Sequence, residues 1–315
     1  MWKMLRTFGV WTGAALVWQL AAAPVGAAAE PSGGQALLDA IRAGAAAQEM
    51  APIDAKLDAG GKAAIPGYNG LAVDIDRSYE LTMQKGGDPA HITYAFRQVP
   101  PKVKLDDLGP RPVYRGNPAK PMAALMINVA WGEQHLPHML DVLEKEGVRC
   151  TFFFDGKWLN KHTDEAKRIG ALGHELSNHA YSHRNMSELG DGQAREEIAK
   201  TEQLLTERLG VRNTLFAPPS GDYSMQTVKL AHAMKLRTIL WTVDTIDWKN
   251  PPADAIVAKI ARKSGPGTLV LMHPTPSSSA ALEGMIRELK RKGLTLGTVS
   301  EVIAETNLAP AEKTL

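Results

Sequence analysis

From Met122 onward the chain keeps one rhythm, in which short apolar runs alternate with stretches of helical periodicity. The apolar runs fall at 122–129, 149–154, 214–217, 237–243 and 267–272. Helical periodicity occupies 136–147, 163–172, 191–209, 224–235, 252–263 and 279–291. Runs this short, bounded by turns, fit strands, and strands separated by amphipathic helices pair in parallel with the helices outside. Six or seven such units between residues 119 and 305 are few for an eight-fold barrel. The rhythm therefore predicts an α/β fold, a distorted (β/α) barrel of about seven units. In such folds the chemistry gathers at the C-terminal ends of the strands.

The rest of the chain divides around that unit. At 315 residues, 44% hydrophobic and 22% charged, the composition is ordinary for a globular protein with one large domain and something smaller. The net charge of +2 gives no reason to expect a nucleic-acid partner. Lys3 and Arg6 precede an uncharged stretch that ends in "APVGAAAE", the pattern of a secretory signal peptide over residues 1–29. An uncleaved membrane anchor is the rival reading, since ~20 apolar residues span a bilayer. Either reading places the folded part outside the cytoplasm, in the cell envelope or secreted. Residues 30–118 read as a small α/β accessory region ending in the turn-rich "LGPRPVYRGNPAKP". Residues 306–315 read as a tail, and a monomer is expected. The lone Cys150, beside Thr151-Phe152-Phe153-Phe154, reads as a buried small hydrophobe.

Five strand ends carry polar or turn-forming residues. The first run reaches Asn128 and Gly132 through "INVAWG". "GHELSNHAYSHRN" holds His179 and His183 four apart, a spacing that lets two imidazoles grip one cation, although a lone HxxxH is more often a pair of solvated loop histidines. "LFAPPSGDYS" makes a rigid turn at Pro218, Pro219 and Gly221, and "LWTVDTIDWKN" offers Asp244, Asp247 and Trp248. "TLVLMHP" places His273 just past an apolar strand. A carboxylate such as Asp247 beside that histidine would favour its cationic form and suit it to act as a general acid.

Together these motifs resemble, over about 120–305, the polysaccharide deacetylase (NodB-homology) family, carbohydrate esterase family four. "NHAYSH" resembles its metal-binding histidine box, "DTIDW" its fourth motif, "LMH" its fifth, and "GVRCTFFFDGKW" its second strand. The resemblance implies metal-assisted hydrolysis of N-acetyl groups on a cell-wall glycan, peptidoglycan or chitin-like, with a spore-wall or peptidoglycan setting. It implies a divalent metal, usually zinc, held by one Asp and by His179 and His183, with a second Asp as base. It implies His273 as general acid, tuned by Asp247 or less readily by Asp244. It also implies Trp248, Leu271 and Pro219 as substrate-contacting residues, with the Ser220 N–H at the oxyanion.

The chain departs from the family at two motifs. Where the family's first motif reads Thr-Phe-Asp-Asp-Gly, matching from the apolar start puts Asn128 at the base and Val129 at the metal carboxylate. Matching from Gly132 puts Ala130 and Trp131 there instead. In the third motif the arginine that pairs with the base is replaced by Ala217. A buried arginine left without its carboxylate costs ~3–5 kcal/mol, so losing both together is self-consistent. Glu133, Asp155 and Asp222 lie near the rim as replacement carboxylates, each more readily read as a loop or turn acid. With its third ligand missing, zinc binding is expected to be weak or absent. Two functions follow: a deacetylase with a variant base or ligand, and an impaired relative that binds glycan or an envelope partner.

Overall fold

The computed structural model describes residues 32–315; the signal-peptide reading of 1–29 lies outside the described residues. Among the described residues no helix is long and apolar enough to cross a membrane.

The accessory region comes first. Helix α1 (Ser32–Ala45) is followed by a short hairpin of β1 (Lys56–Leu57) and β2 (Ala64–Ile65), then by β3 (Gly70–Asp74), α2 (Ile75–Gln84) and β4 (Thr93–Val99). Asp74 starts α2 by accepting the Arg77 N–H on its side chain, an N-cap that satisfies a donor the helix cannot. Leu37 and Ile41 of α1 pack on Val73, Ile92 and Tyr94, a small core of its own.

The barrel domain runs β5 (Met122–Val129), α3 (Leu136–Lys145), β6 (Thr151–Phe154), α4 (Gly156–Lys161), α5 (Thr163–Ala171), β7 (Glu175–Asn178), α6 (Asp191–Leu209), β8 (Leu215–Phe216) and α7 (Met225–Ala233). It continues β9 (Arg237–Thr238), β10 (Val243–Asp244), α8 (Ala253–Lys263), β11 (Thr268–Met272), α9 (Pro276–Arg291), β12 (Thr295–Gly297) and α10 (Val299–Ile303). The parallel sheet has the order β10-β11-β5-β6-β7-β8-β9 and curls into an incomplete barrel. Strand β5 is its axis, pairing β11 on one edge and both β12 and β6 on the other. It separates two cores. Leu125, Ile127 and Val129 face the outer core beneath the helices, whereas Ala124 and Met126 face the barrel interior.

The structure differs from the sequence reading in three places. The run 237–243 is two short strands, β9 and β10, and between them the barrel is unpaired. The turn-rich segment 108–121 fills that gap: Val113 donates to Thr238 and accepts from Leu240, and Arg115 bridges Thr268. Third, the last residues are not a free tail. Strand β13 (Glu312–Thr314) pairs with β4, and the buried Asn307 bonds Tyr68, Asn69 and Gln98. The C-terminus thus ties the accessory sheet to the barrel.

Candidate functional site

A pocket of about 390 Å³ opens at the C-terminal ends of the strands, where a parallel α/β barrel is expected to carry chemistry. Asn128 and Ala130 of the β5 end line it, with Trp131 at the lip; His179 and His183 come from the end of β7. Ser220, Trp241, Asp244, Trp248, Leu271 and His273 complete the wall.

The best-built part is the His273–Asp247 pair. Asp244 accepts the Ile246 N–H on its side chain, which holds Ile246 at φ 57°, a left-handed conformation costly for a β-branched residue. That kink turns Asp247 inward, where it is fully buried. Its carboxylate accepts both the backbone N–H of His273 at 2.6 Å and the ring Nδ1–H at 2.8 Å. Two charge-assisted bonds to one residue fix the imidazole's position and tautomer. The structure thus makes Asp247 the partner of His273, while Asp244 supports the turn and lines the pocket.

His179 and His183 meet edge to face with ring centroids 5.2 Å apart. His179 Nδ1 donates to the Ala217 carbonyl at 2.8 Å, leaving Nε2 as an acceptor. Complete burial, then the neighbouring His183, drive its pKa down to about 3, so the ring is neutral. Burial lowers His183 as well. Ala180, His183 and Ser220 all have positive φ, strained positions that the rim holds in place.

The opposite side carries no such chemistry. Val129 is fully buried in the outer core, so the register that assigns it a metal carboxylate is corrected: its side chain points away from the pocket. Ala130 and Trp131, the positions named by the register ending on Gly132, stand at the rim. Asn128, expected at the base position, is one place earlier on the inward face, and its buried Oδ1 has no partner. Trp131 lies parallel to the His273 ring, centroids 5.8 Å apart and planes 9° from parallel. Gly132 makes this possible, with φ 83° and a backbone so close to Pro274 that a Cβ would sit 2.1 Å from its carbonyl oxygen. No side chain but hydrogen fits there.

Of the other expected residues, Trp248, Leu271 and Ser220 line the pocket. Pro219 is buried in the turn that sets Ser220. Ala217 is fully buried, and Cys150 packs in the outer core. None of the three candidate replacement carboxylates lines this pocket. Asp222 is engaged with Ser187, and Glu133 and Asp155 belong to a neighbouring cavity. Sequence reasoning missed Trp241 as a wall residue.

The residues present do not fit a resident catalytic cation. Catalytic zinc takes three protein ligands and an open position. Here two imidazoles stand without a carboxylate, and among the described residues no group of three His, Cys, Asp or Glu side chains could hold a metal ion.

The family model described as polysaccharide deacetylase matches residues 115–239. An uncharacterised protein of Bacillus subtilis, YlxY, is 42% identical over 260 residues, 82% of this chain and 81% of that one. The crystal structure of BA3943, described as a CE4-family pseudoenzyme from Bacillus anthracis, is 41% identical, with a TM-score of 0.78 over 86% of this chain and 96% of that chain. A mutant of it is described as having restored enzymatic activity. A peptidoglycan-N-acetylglucosamine deacetylase of Bacillus cereus is 36% identical over 162 residues, covering 50% of this chain and 59% of that one. The fold and rim define a deacetylase-type (β/α) barrel. This chain belongs to the polysaccharide deacetylase family, carbohydrate esterase family four.

Proposed function

We propose that this protein binds an N-acetylated cell-wall glycan in the rim pocket and does not hydrolyse it. One observation carries the reading: Ala130 and Trp131, neither able to ionise, stand at the pocket end of β5, and the indole lies over His273. Without a base, attack on an amide loses a contribution of typically ~10²–10⁴-fold; without a carboxylate ligand the metal loses its site. What remains is a binding wall. Trp131 and Trp248 are 44% and 53% exposed beside it, placed as apolar faces for sugar rings. His179 Nε2 is an acceptor for an acetamido N–H, the Ser220 N–H a donor for its carbonyl, and Leu271 an apolar neighbour for its methyl group. The relatives, peptidoglycan deacetylases and a pseudoenzyme, support a glycan ligand without turnover. The basic, apolar and small-residue order of residues 1–29 supports a place outside the cytoplasm.

The test pairs two measurements on the purified protein: acetate release from N-acetylglucosamine oligomers and peptidoglycan with added zinc, and calorimetric titration of the same oligomers. Binding without acetate release is the expected result. Zinc-dependent acetate release abolished by His179→Ala overturns it.

A further inference from the structure

A second cavity, of about 530 Å³, abuts the first and shares Ala130, Trp131 and His183 with it. Trp131 is therefore a partition: one side faces the proposed glycan pocket and the other a chamber of different chemistry. The chamber is charged with both signs. Asp155 and Glu133 are its acids; Lys157 and Lys161, both exposed and four residues apart on α4, are its bases.

Asp155 is the unusual member. Its Oδ1 accepts the Trp158 N–H at 2.9 Å, capping α4. Its Oδ2 is buried and has no partner at all. Burial, partly offset by the Trp158 and Lys157 backbone N–H groups, pushes the carboxyl up to about 6. A cap needs one oxygen, and a neutral Asn or Ser supplies it equally well. The second oxygen carries only a desolvation cost, unless something cationic comes to it. Phe154, Trp158 and His162 stack face to face behind it, at 5.3 and 4.9 Å between centroids, so the wall is stiff.

We infer that this second cavity holds a zwitterionic amino-acid group, its ammonium against Asp155 and its carboxylate against Lys157 and Lys161. An anion alone would meet the two carboxylates, a cation alone the two lysines, and a neutral amide would use neither pair. The inference rests on the glycan reading for its source: the glycan of peptidoglycan carries short peptides with free amino and carboxyl groups. A sugar seated in the first pocket would deliver such a peptide across Trp131.

The experiment titrates the purified protein with three probes: a peptide-free N-acetylglucosaminyl-N-acetylmuramic acid disaccharide, the same disaccharide bearing its tetrapeptide, and the free tetrapeptide. The peptide-bearing disaccharide should bind roughly tenfold tighter than the bare one, the factor that a charge-assisted hydrogen bond of about 1.4 kcal/mol supplies. Asp155→Asn, which keeps the helix cap, and Lys161→Ala should each erase that advantage and the binding of the free peptide. Both should leave affinity for the bare disaccharide unchanged. Equal binding of the two disaccharides, or an advantage that survives both substitutions, overturns the inference while leaving the glycan reading standing. Asp155-dependent binding of the free peptide with no binding of the bare sugar overturns the glycan reading and upholds the second cavity.

Discussion

The two sides of the pocket rim stand in contrast. At the ends of β7 and β11, His179, His183 and His273 with its partner Asp247 form hydrogen-bonded, ionisable walls. At the ends of β5 and β8 stand Ala130, Trp131 and Ala217, all unable to ionise. The intact side is held by structure as much as by chemistry. Asp247 secures the backbone of His273 as well as its ring, and His179 ties the end of β7 to the turn after β8. On the silent side, a base and a metal carboxylate at a strand end would have no comparable structural duty. Losing them costs the fold little, and losing the arginine with them avoids an unpaired buried charge.

The largest expected effect breaks this contrast outright. Ala130→Asp, Trp131→Asp and Ala217→Arg together should give zinc-dependent acetate release at least ~10²-fold above the parent, the low end of what a general base contributes. The alternative set Asn128→Asp, Val129→Asp and Ala217→Arg should stay inactive. It should also cost several kcal/mol of unfolding free energy in urea, because Val129 lies in the outer core and a carboxylate there is buried and unpaired. Activity from the second set and none from the first would reverse the register.

Next in size, Asp247→Ala leaves two donors of His273 without their acceptor in a buried place, at about 1–3 kcal/mol each. Denaturant unfolding should show a loss of ~2–6 kcal/mol; an unchanged midpoint would mean the pair is not a structural fastener.

A third test concerns the neighbouring cavity and has a sign that can be worked out. The folded-state pKa of Asp155 is raised, to about 6, from 3.8. The folded state therefore holds the proton more tightly, and this stabilisation is present below pH ~4 and lost as pH rises through ~6. Asp155→Asn should remove that slope and be more stable than the parent at pH 7, by ~2–3 kcal/mol. His179 acts with the opposite sign: its pKa is depressed to about 3, so its contribution is lost as pH falls below ~6.5. Thermal midpoints of parent and variant between pH 4 and 7 separate the two, and a variant less stable at pH 7 contradicts the assignment.

The smallest effect on stability belongs to Trp248→Ala. The side chain is 53% exposed, so unfolding should move by no more than ~0.5 kcal/mol, while oligosaccharide binding weakens. A large stability loss with unchanged binding would make Trp248 a packing residue.

Some of this was legible in the residues and some was not. His179 and His183 four apart, and Asp247 and His273 at strand ends, announce themselves by type and spacing, and the barrel announces itself by rhythm. The register at Asn128 does not. Every residue from Met122 to Val129 is buried, since a central parallel strand is covered on both faces and loses the alternation that would tell inside from outside. Only the two cores decide that Val129 faces the helices and that Ala130 follows Asn128 into the pocket. Asp155 and Glu133 sit near the rim in sequence, yet the fold puts them beyond Trp131. Residues 108–121 look like a linker and 306–315 like a tail, because a strand paired by a distant segment carries little local signal. By itself the sequence determined the family, the fold class and which chemical groups are present, because those depend on residue type and local period. Which groups face one another, which carboxylate holds His273, and which side of an indole each cavity occupies were decided by the tertiary structure, because long-range pairing and packing bring together residues far apart in the chain.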